Sequence, residues 1–185
     1  RLGLPLIRNA LKQAMQQLAY QFVLAETIDK ALLQASQSDG CLYSFDMLGE
    51  AALTTNDANR YYNAYKPAIS ALAKQKQTPN IYKKQSISIK LSALYSRYEP
   101  LQQQRAIAQI NTKLLSLAKQ AKAANITVTI DAEESERLDM SLTIFSQVLA
   151  DPSLTGWSGL GLAVQAYQKR ALPTLRYLAE LAKTQ

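Results

Sequence analysis

Ser86-Ile87-Ser88-Ile89-Lys90-Leu91 alternates small or polar residues with bulky apolar ones. Residues two apart on a strand share a face. Ile87, Ile89 and Leu91 therefore form one face, and Ser86, Ser88 and Lys90 the other. The same division recurs in three more short runs. Tyr43, Phe45 and Met47 oppose Ser44 and Asp46; Val128 and Ile130 oppose Thr127, Thr129 and Asp131; Leu160, Leu162 and Val164 oppose Gly161, Ala163 and Gln165. A parallel sheet covered by helices on both sides is apolar on both faces. Here each strand is bulky and apolar on one face only. That favours a barrel with outer helices and a ligand in its mouth over an open doubly wound sheet.

Strands are expected over residues 42–47, 86–91, 126–131 and 159–165, and helical patterns fill the gaps. One helix starts at a Thr54 or Thr55 cap, carries Asp57 in its first turn, kinks at Pro67 and runs to about Lys76. The next opens at Pro100 and ends near Asn125. A third spans residues 135–150, and a fourth opens at Pro173. Four strand–helix repeats imply an α/β fold with a parallel sheet. A complete (βα)8 barrel takes about 250 residues, so residues 41–185 are read as its N-terminal half, about four βα units. Residues 1–40 form a helical arm and linker. Leu4, Ile7, Leu11, Met15, Leu18 and Phe22 recur at helical spacing, a short helix covers 28–35, and Ser36-Gln37-Ser38-Asp39-Gly40 is turn-rich. With no Met at the start and a stop at Gln185, the chain is read as a piece of a larger protein.

Composition narrows the chemistry. The chain has 185 residues, 48% hydrophobic and 19% charged, which excludes a disordered protein. No stretch approaches the length and apolarity of a membrane span. One cysteine, Cys41, permits neither an internal disulfide nor a thiolate cage, and there is no histidine. The usual transition-metal ligand, the serine-triad base and the commonest general base are thus missing. No metal site is expected. The net charge of +7 could mark an anionic partner, but the basic residues are scattered. Their densest groups are Lys74/Lys76, Lys83/Lys84 and Lys169/Arg170, and a solvated basic surface is expected. The glycines of residues 156–161 precede a strand and carry no phosphate-loop pattern.

Each small face ends in a polar residue at the carboxyl end of its strand: Asp46, Lys90, Asp131 and Gln165. Active sites of (βα)8 barrels lie on that rim; loop-capping is the alternative role. Lys90 is half-buried in this reading and needs a partner, for which Asp131 is the candidate. It could grip a substrate carboxylate or form a Schiff base, so a Schiff-base lyase stays open on these grounds. A basic nucleic-acid-binding module is the non-enzyme alternative. Glu133 and Glu134 could brace the site or form a solvated turn. Tyr61, Tyr62 and Tyr65 read as packing residues.

Four segments carry a resemblance: Tyr43-Ser44-Phe45-Asp46-Met47-Leu48-Gly49-Glu50-Ala51-Ala52, Ser88-Ile89-Lys90-Leu91-Ser92-Ala93-Leu94, Ile130-Asp131-Ala132-Glu133-Glu134 and Val164-Gln165-Ala166-Tyr167-Gln168-Lys169-Arg170. In this order they closely resemble the proline dehydrogenase domain of bacterial bifunctional proline utilisation A. Arg1-Leu2-Gly3 and Gln21-Phe22-Val23-Leu24 resemble the segment that enters that barrel. Tyr95-Ser96 departs from the family, where His-Pro is common. The resemblance implies non-covalent FAD and oxidation of L-proline to 1-pyrroline-5-carboxylate, with electrons passing to a membrane quinone. It implies a bacterial cytoplasmic protein peripheral to the inner membrane, leaves oligomerisation open, and gives no nucleic-acid role to this segment. Lys90 is similar to the lysine that meets the proline carboxylate, Asp131 to the active-site aspartate, and Ala132 and Gln165 to flavin contacts. The family's flavin-contacting arginine and its substrate-gripping arginine pair are expected beyond Gln185.

Overall fold

The computed structural model describes residues 3–38, 40–75 and 78–184. Arg1 and Leu2 of the quoted entry segment, Asp39 of the expected linker, Lys76 at the expected helix end and the terminal Gln185 lie outside the described residues. The chain divides into two compact units, Arg1–Cys41 and Leu42–Gln185.

The first unit contains α1 (Gly3–Ala19) and α2 (Ile28–Ser36). α1 stops before Phe22, where the apolar spacing would have carried it. The amides of Phe22 and Val23 both turn back to the Ala19 carbonyl, at 2.9 and 2.7 Å, and close the chain into a turn. The Thr27 hydroxyl caps α2 by accepting from the Lys30 amide at 3.3 Å, and α2 buries Ala31, Leu32 and Ala35. Among the described residues no helix is long and apolar enough to cross a membrane.

The second unit alternates β1 (Ser44–Asp46), α3 (Thr55–Ala73), β2 (Ser86–Ile89), α4 (Gln103–Ala124), β3 (Val128–Ile130), α5 (Leu138–Leu149), β4 (Leu160–Leu162) and α6 (Ala171–Ala182). The strands lie in chain order, every neighbouring pair parallel. They are shorter than the runs 42–47, 86–91, 126–131 and 159–165. Single bonds extend the pairing at their ends, such as Asp131 N to Ile89 O at 3.0 Å and Ala163 N to Ile130 O at 2.8 Å. Extended backbone, and with it the alternation of side chains, outlasts the full ladder.

The helices begin and end on local chemistry. Thr54 and Asp57 form a reciprocal cap on α3: the Thr54 hydroxyl accepts from the Asp57 amide and the Asp57 carboxylate from the Thr54 amide, each at 3.1 Å. The hydrogen bond from the Thr54 side chain holds the Asp57 carboxyl below its usual range. α3 continues through Pro67 to Ala73. Pro100 opens a 3-10 turn rather than the α-helix itself, and α4 ends on left-handed Asn125 (φ 52°, ψ 49°). A similar turn, Ser135–Arg137, leads into α5. α6 begins at Ala171, two residues before Pro173. The proline sits in the first turn, where amides have no helical partner to lose.

The apolar strand faces form the core. Ile87, Ile89, Val128 and Ile130 are fully buried, as are Ile69 of α3, Ile110, Leu114 and Leu117 of α4, and Ile144 of α5. α4 packs against both α3 and α5. Truncating one such isoleucine to alanine costs about 2–5 kcal/mol, so this face fixes the sheet. The other face holds small and polar residues. Asp46, Ser88, Thr129 and Gly161 stand in register across the four strands, and the Ser44 and Ser88 hydroxyls bond at 3.0 Å. The division seen in the sequence is the division between core and open face.

Candidate functional site

β2 ends at Ile89, and Lys90 follows in extended conformation before a 3-10 turn at Leu91–Ala93. The Lys90 amide donates to the Tyr65 hydroxyl at 3.3 Å. Its ammonium donates to Asp46, the last residue of β1, and to Asp131 Oδ2 at 3.0 Å, just past β3. Three adjacent strands thus deliver one charged group each to the same point on the rim. The Lys90 side chain is 17% exposed, Asp131 25% and Asp46 46%.

Burial works against the charged form of Lys90, but the hydrogen bonds from its ammonium to Asp46 and Asp131 prevail and hold its pKa well above the ordinary lysine value. Lys90 is therefore a fixed cation at neutral pH. A Schiff-base nucleophile needs a free amine lone pair, so this environment disfavours the lyase reading. An ammonium has three N–H groups. The described residues take two, which leaves one for an anionic ligand. Tyr65 packs as expected but does more, because its hydroxyl receives the Lys90 amide. Burial pushes the Tyr65 phenol up to about 12.

The loops behind these residues are tied together. The loop after β1 contains Gly49 and Ala51 at positive φ (142° and 47°), and a side chain at Gly49 would strike the Tyr61 ring at 2.4 Å. The Ala51 amide donates to Ser92 Oγ and the Ala52 amide to Ser92 O, both at 3.0 Å. The Ser92 amide in turn donates to Glu133 Oε1 at 3.0 Å. Glu133 Oε2 pairs with Arg137 at 3.2 Å and is well shielded, whereas Glu134, on the same arginine at 2.8 Å, is mostly exposed. Of the two acids, Glu133 braces the rim and Glu134 is the solvated one. Gln165 Nε2 donates to the Glu133 carbonyl at 3.1 Å, and Gln165 Oε1 accepts from Gln168.

Lys90, Ala132 and Gln165 line one open cleft of about 850 Å3, together with Glu50, Glu133, Glu134, Glu136, Tyr167, Lys169 and Arg170. Asp131 lines the adjoining recess, where Ala132 and Gln165 recur. The four site residues read from the sequence therefore converge. Asp46, marked in the sequence only as a strand-end acid with loop-capping as its alternative role, belongs with them. Ser92 was missed because its partners lie 41 residues away in either direction. No cluster of three or more potential ligands for a metal ion occurs among the described residues.

The Gln165 amide keeps a free N–H and an acceptor lone pair after its two bonds, which suits a flat heterocycle that presents both donors and acceptors. Ala132 is small and only partly buried, so a ring can approach its backbone. These residues fit a flavin edge.

The model of the family described as proline dehydrogenase matches residues 30–185. The bifunctional protein PutA of Escherichia coli (strain K12) is 44% identical over 182 residues, and that of Rhizobium meliloti 42% over 185. The matches cover 97% and 99% of this chain but 14% and 15% of those proteins. The chain thus spans about a seventh of the length of these relatives. Proline dehydrogenase 1 of Bacillus subtilis (strain 168) is 28% identical over 165 residues, 88% of this chain and 49% of that one. A crystal structure of bifunctional proline utilization A superposes with a TM-score of 0.80 at 46% identity, over 99% of this chain and 19% of the other. The protein from Bdellovibrio bacteriovorus, at 23% identity, shares the fold with a TM-score of 0.87 over 97% of this chain and 20% of the other. The parallel βα units thus have the barrel-like architecture of that domain, and the chain belongs to the proline dehydrogenase family.

Proposed function

We propose that this chain supplies the first four βα units of a proline-oxidising site in a larger protein, which converts L-proline to 1-pyrroline-5-carboxylate with FAD. The observation that carries the reading is Lys90, held charged between Asp46 and Asp131 at the rim of a cleft bordered by Ala132 and Gln165, in a chain of this family. The remaining N–H of Lys90 binds the proline carboxylate. Asp131 keeps the ammonium in place. The acids of the cleft outnumber its bases, which favours a ligand that brings a cationic nitrogen as well as a carboxylate. That nitrogen first releases a proton to solvent in the open cleft; hydride then leaves the adjacent ring carbon as the freed lone pair forms the C=N bond, and fixed carboxylates stabilise the positive charge that returns to the nitrogen. Bound FAD, held by Ala132 and Gln165, would supply the two-electron acceptor. A quinone at the bacterial inner membrane surface, reached from the cytoplasm, is the proposed final acceptor.

The test is to purify the full-length protein that carries this sequence and supply proline and a dye acceptor. Proline-dependent dye reduction, a flavin spectrum and a cyclic imine product are expected. A colourless protein, or one that reduces dye equally without proline, would overturn the proposal.

A further inference from the structure

The hydrogen bonds behind the site form a continuous girdle. Residues 47–53 join β1 to α3 and include Ala51 in a left-handed conformation that L residues avoid. Two consecutive amides of this segment, Ala51 and Ala52, are both received by Ser92, which is 3% exposed. The Ser92 amide goes to the carboxylate of Glu133, whose side chain is 11% exposed, and the Glu133 carbonyl receives Gln165. Loops after all four strands are joined through these two residues. The spacing matters: Ser92 lies two residues after Lys90, and Glu133 two residues after Asp131. A shielded carboxylate on a backbone amide is a charge-assisted bond, stronger than a neutral one. It fixes the backbone of the lysine-bearing loop against that of the aspartate-bearing loop.

We propose that Ser92 and Glu133 are positioning residues, which hold the loop after β1 in its strained form and set Lys90 against Asp46 and Asp131. The proposal rests on the proline-oxidising reading for its kinetic consequence. A purely structural bond would affect melting temperature alone. A positioning bond weakens substrate binding, because Lys90 and its partners no longer meet the carboxylate in one arrangement.

The experiment compares Ser92→Ala with the unsubstituted full-length protein by hydrogen exchange of peptides spanning residues 47–53, and by the kinetics of proline oxidation. The alanine removes the acceptor of the Ala51 amide and little volume. Exchange in that segment is expected to accelerate about tenfold, and KM for proline to rise roughly tenfold with kcat changed less than threefold. Should Ser92→Ala not fold, Glu133→Gln carries the same test, with the same direction expected in both readouts. Unchanged exchange and KM, or a lowered melting temperature with KM unchanged, would overturn the proposal. If the unsubstituted protein does not oxidise proline, the proline reading fails, and the exchange comparison still decides whether Ser92 holds the loop.

Discussion

Asp46 and Asp131 hold Lys90 from neighbouring strands, and the two carboxylates are not equivalent. Asp131 is the more shielded of the pair, and Asp46 is nearly half exposed. Removing Asp131 leaves Lys90 with Asp46, so no buried charge is stranded, but the ammonium is no longer held from two sides. Asp131→Ala should lower turnover roughly ten- to hundredfold, the equivalent of about 1.5–3 kcal/mol for a charge-assisted bond. Its melting temperature should stay within a few degrees of the parent. Normal turnover with a large loss of thermal stability would mean that Asp131 serves the fold alone. Lys90 itself should not titrate through the neutral range. Its raised pKa keeps the ion pair intact below the ordinary lysine value, and the pair is lost only as pH climbs through the raised one. Tyr65 gives a second pH signature. Its phenol is neutral when folded and raised to about 12, so its contribution is complete below about pH 10 and lost as pH rises through about 12. The difference in melting temperature between the parent and Tyr65→Phe should therefore shrink over that interval. A constant difference would show that burial does not hold the phenol neutral.

At the scale of elements, β4 begins beneath the ring of Trp157. A side chain at Gly159 would lie 2.3 Å from that buried ring, while the Gly159 carbonyl accepts the Val128 amide at 2.8 Å. A side chain there forces the buried ring to shift. Gly159→Ala should destabilise the protein by about 1–3 kcal/mol, read as a lower denaturation midpoint. A midpoint unchanged from the parent would show that the indole shifts freely. Much of this architecture is legible in the alternation of Ile87 and Ile89 with Ser88 and Lys90, because burial on one strand face leaves a period-two trace. Lys90 and Asp131 are legible for the same reason, as the last residues of a polar track. Strand lengths are not, because extended backbone continues beyond the ladder. Nor are the roles of Tyr65 and Ser92 legible. Tyr65 follows the helical spacing of α3 whether or not its hydroxyl finds Lys90, 25 residues away, and no local pattern records a bond between distant loops.

For the molecule as a whole, β1 and β4 are the two edges of the sheet among the described residues. Open parallel edges leave unpaired backbone groups, and the polar rim faces a cleft that is only partly enclosed. Residues 1–185 produced alone are expected to aggregate or self-associate and to hold FAD weakly. Gel filtration with added flavin checks this, and a stable yellow monomer would refute it. The proposed binding of the proline carboxylate by Lys90 lies at the centre of the complete site. Its most direct test is an anaerobic proline titration of the full-length protein and of Lys90→Met, following loss of flavin absorbance. Both proteins should retain flavin and bleach to a similar extent, with Lys90→Met requiring roughly ten- to hundredfold more proline. Superimposable titration curves would contradict that binding.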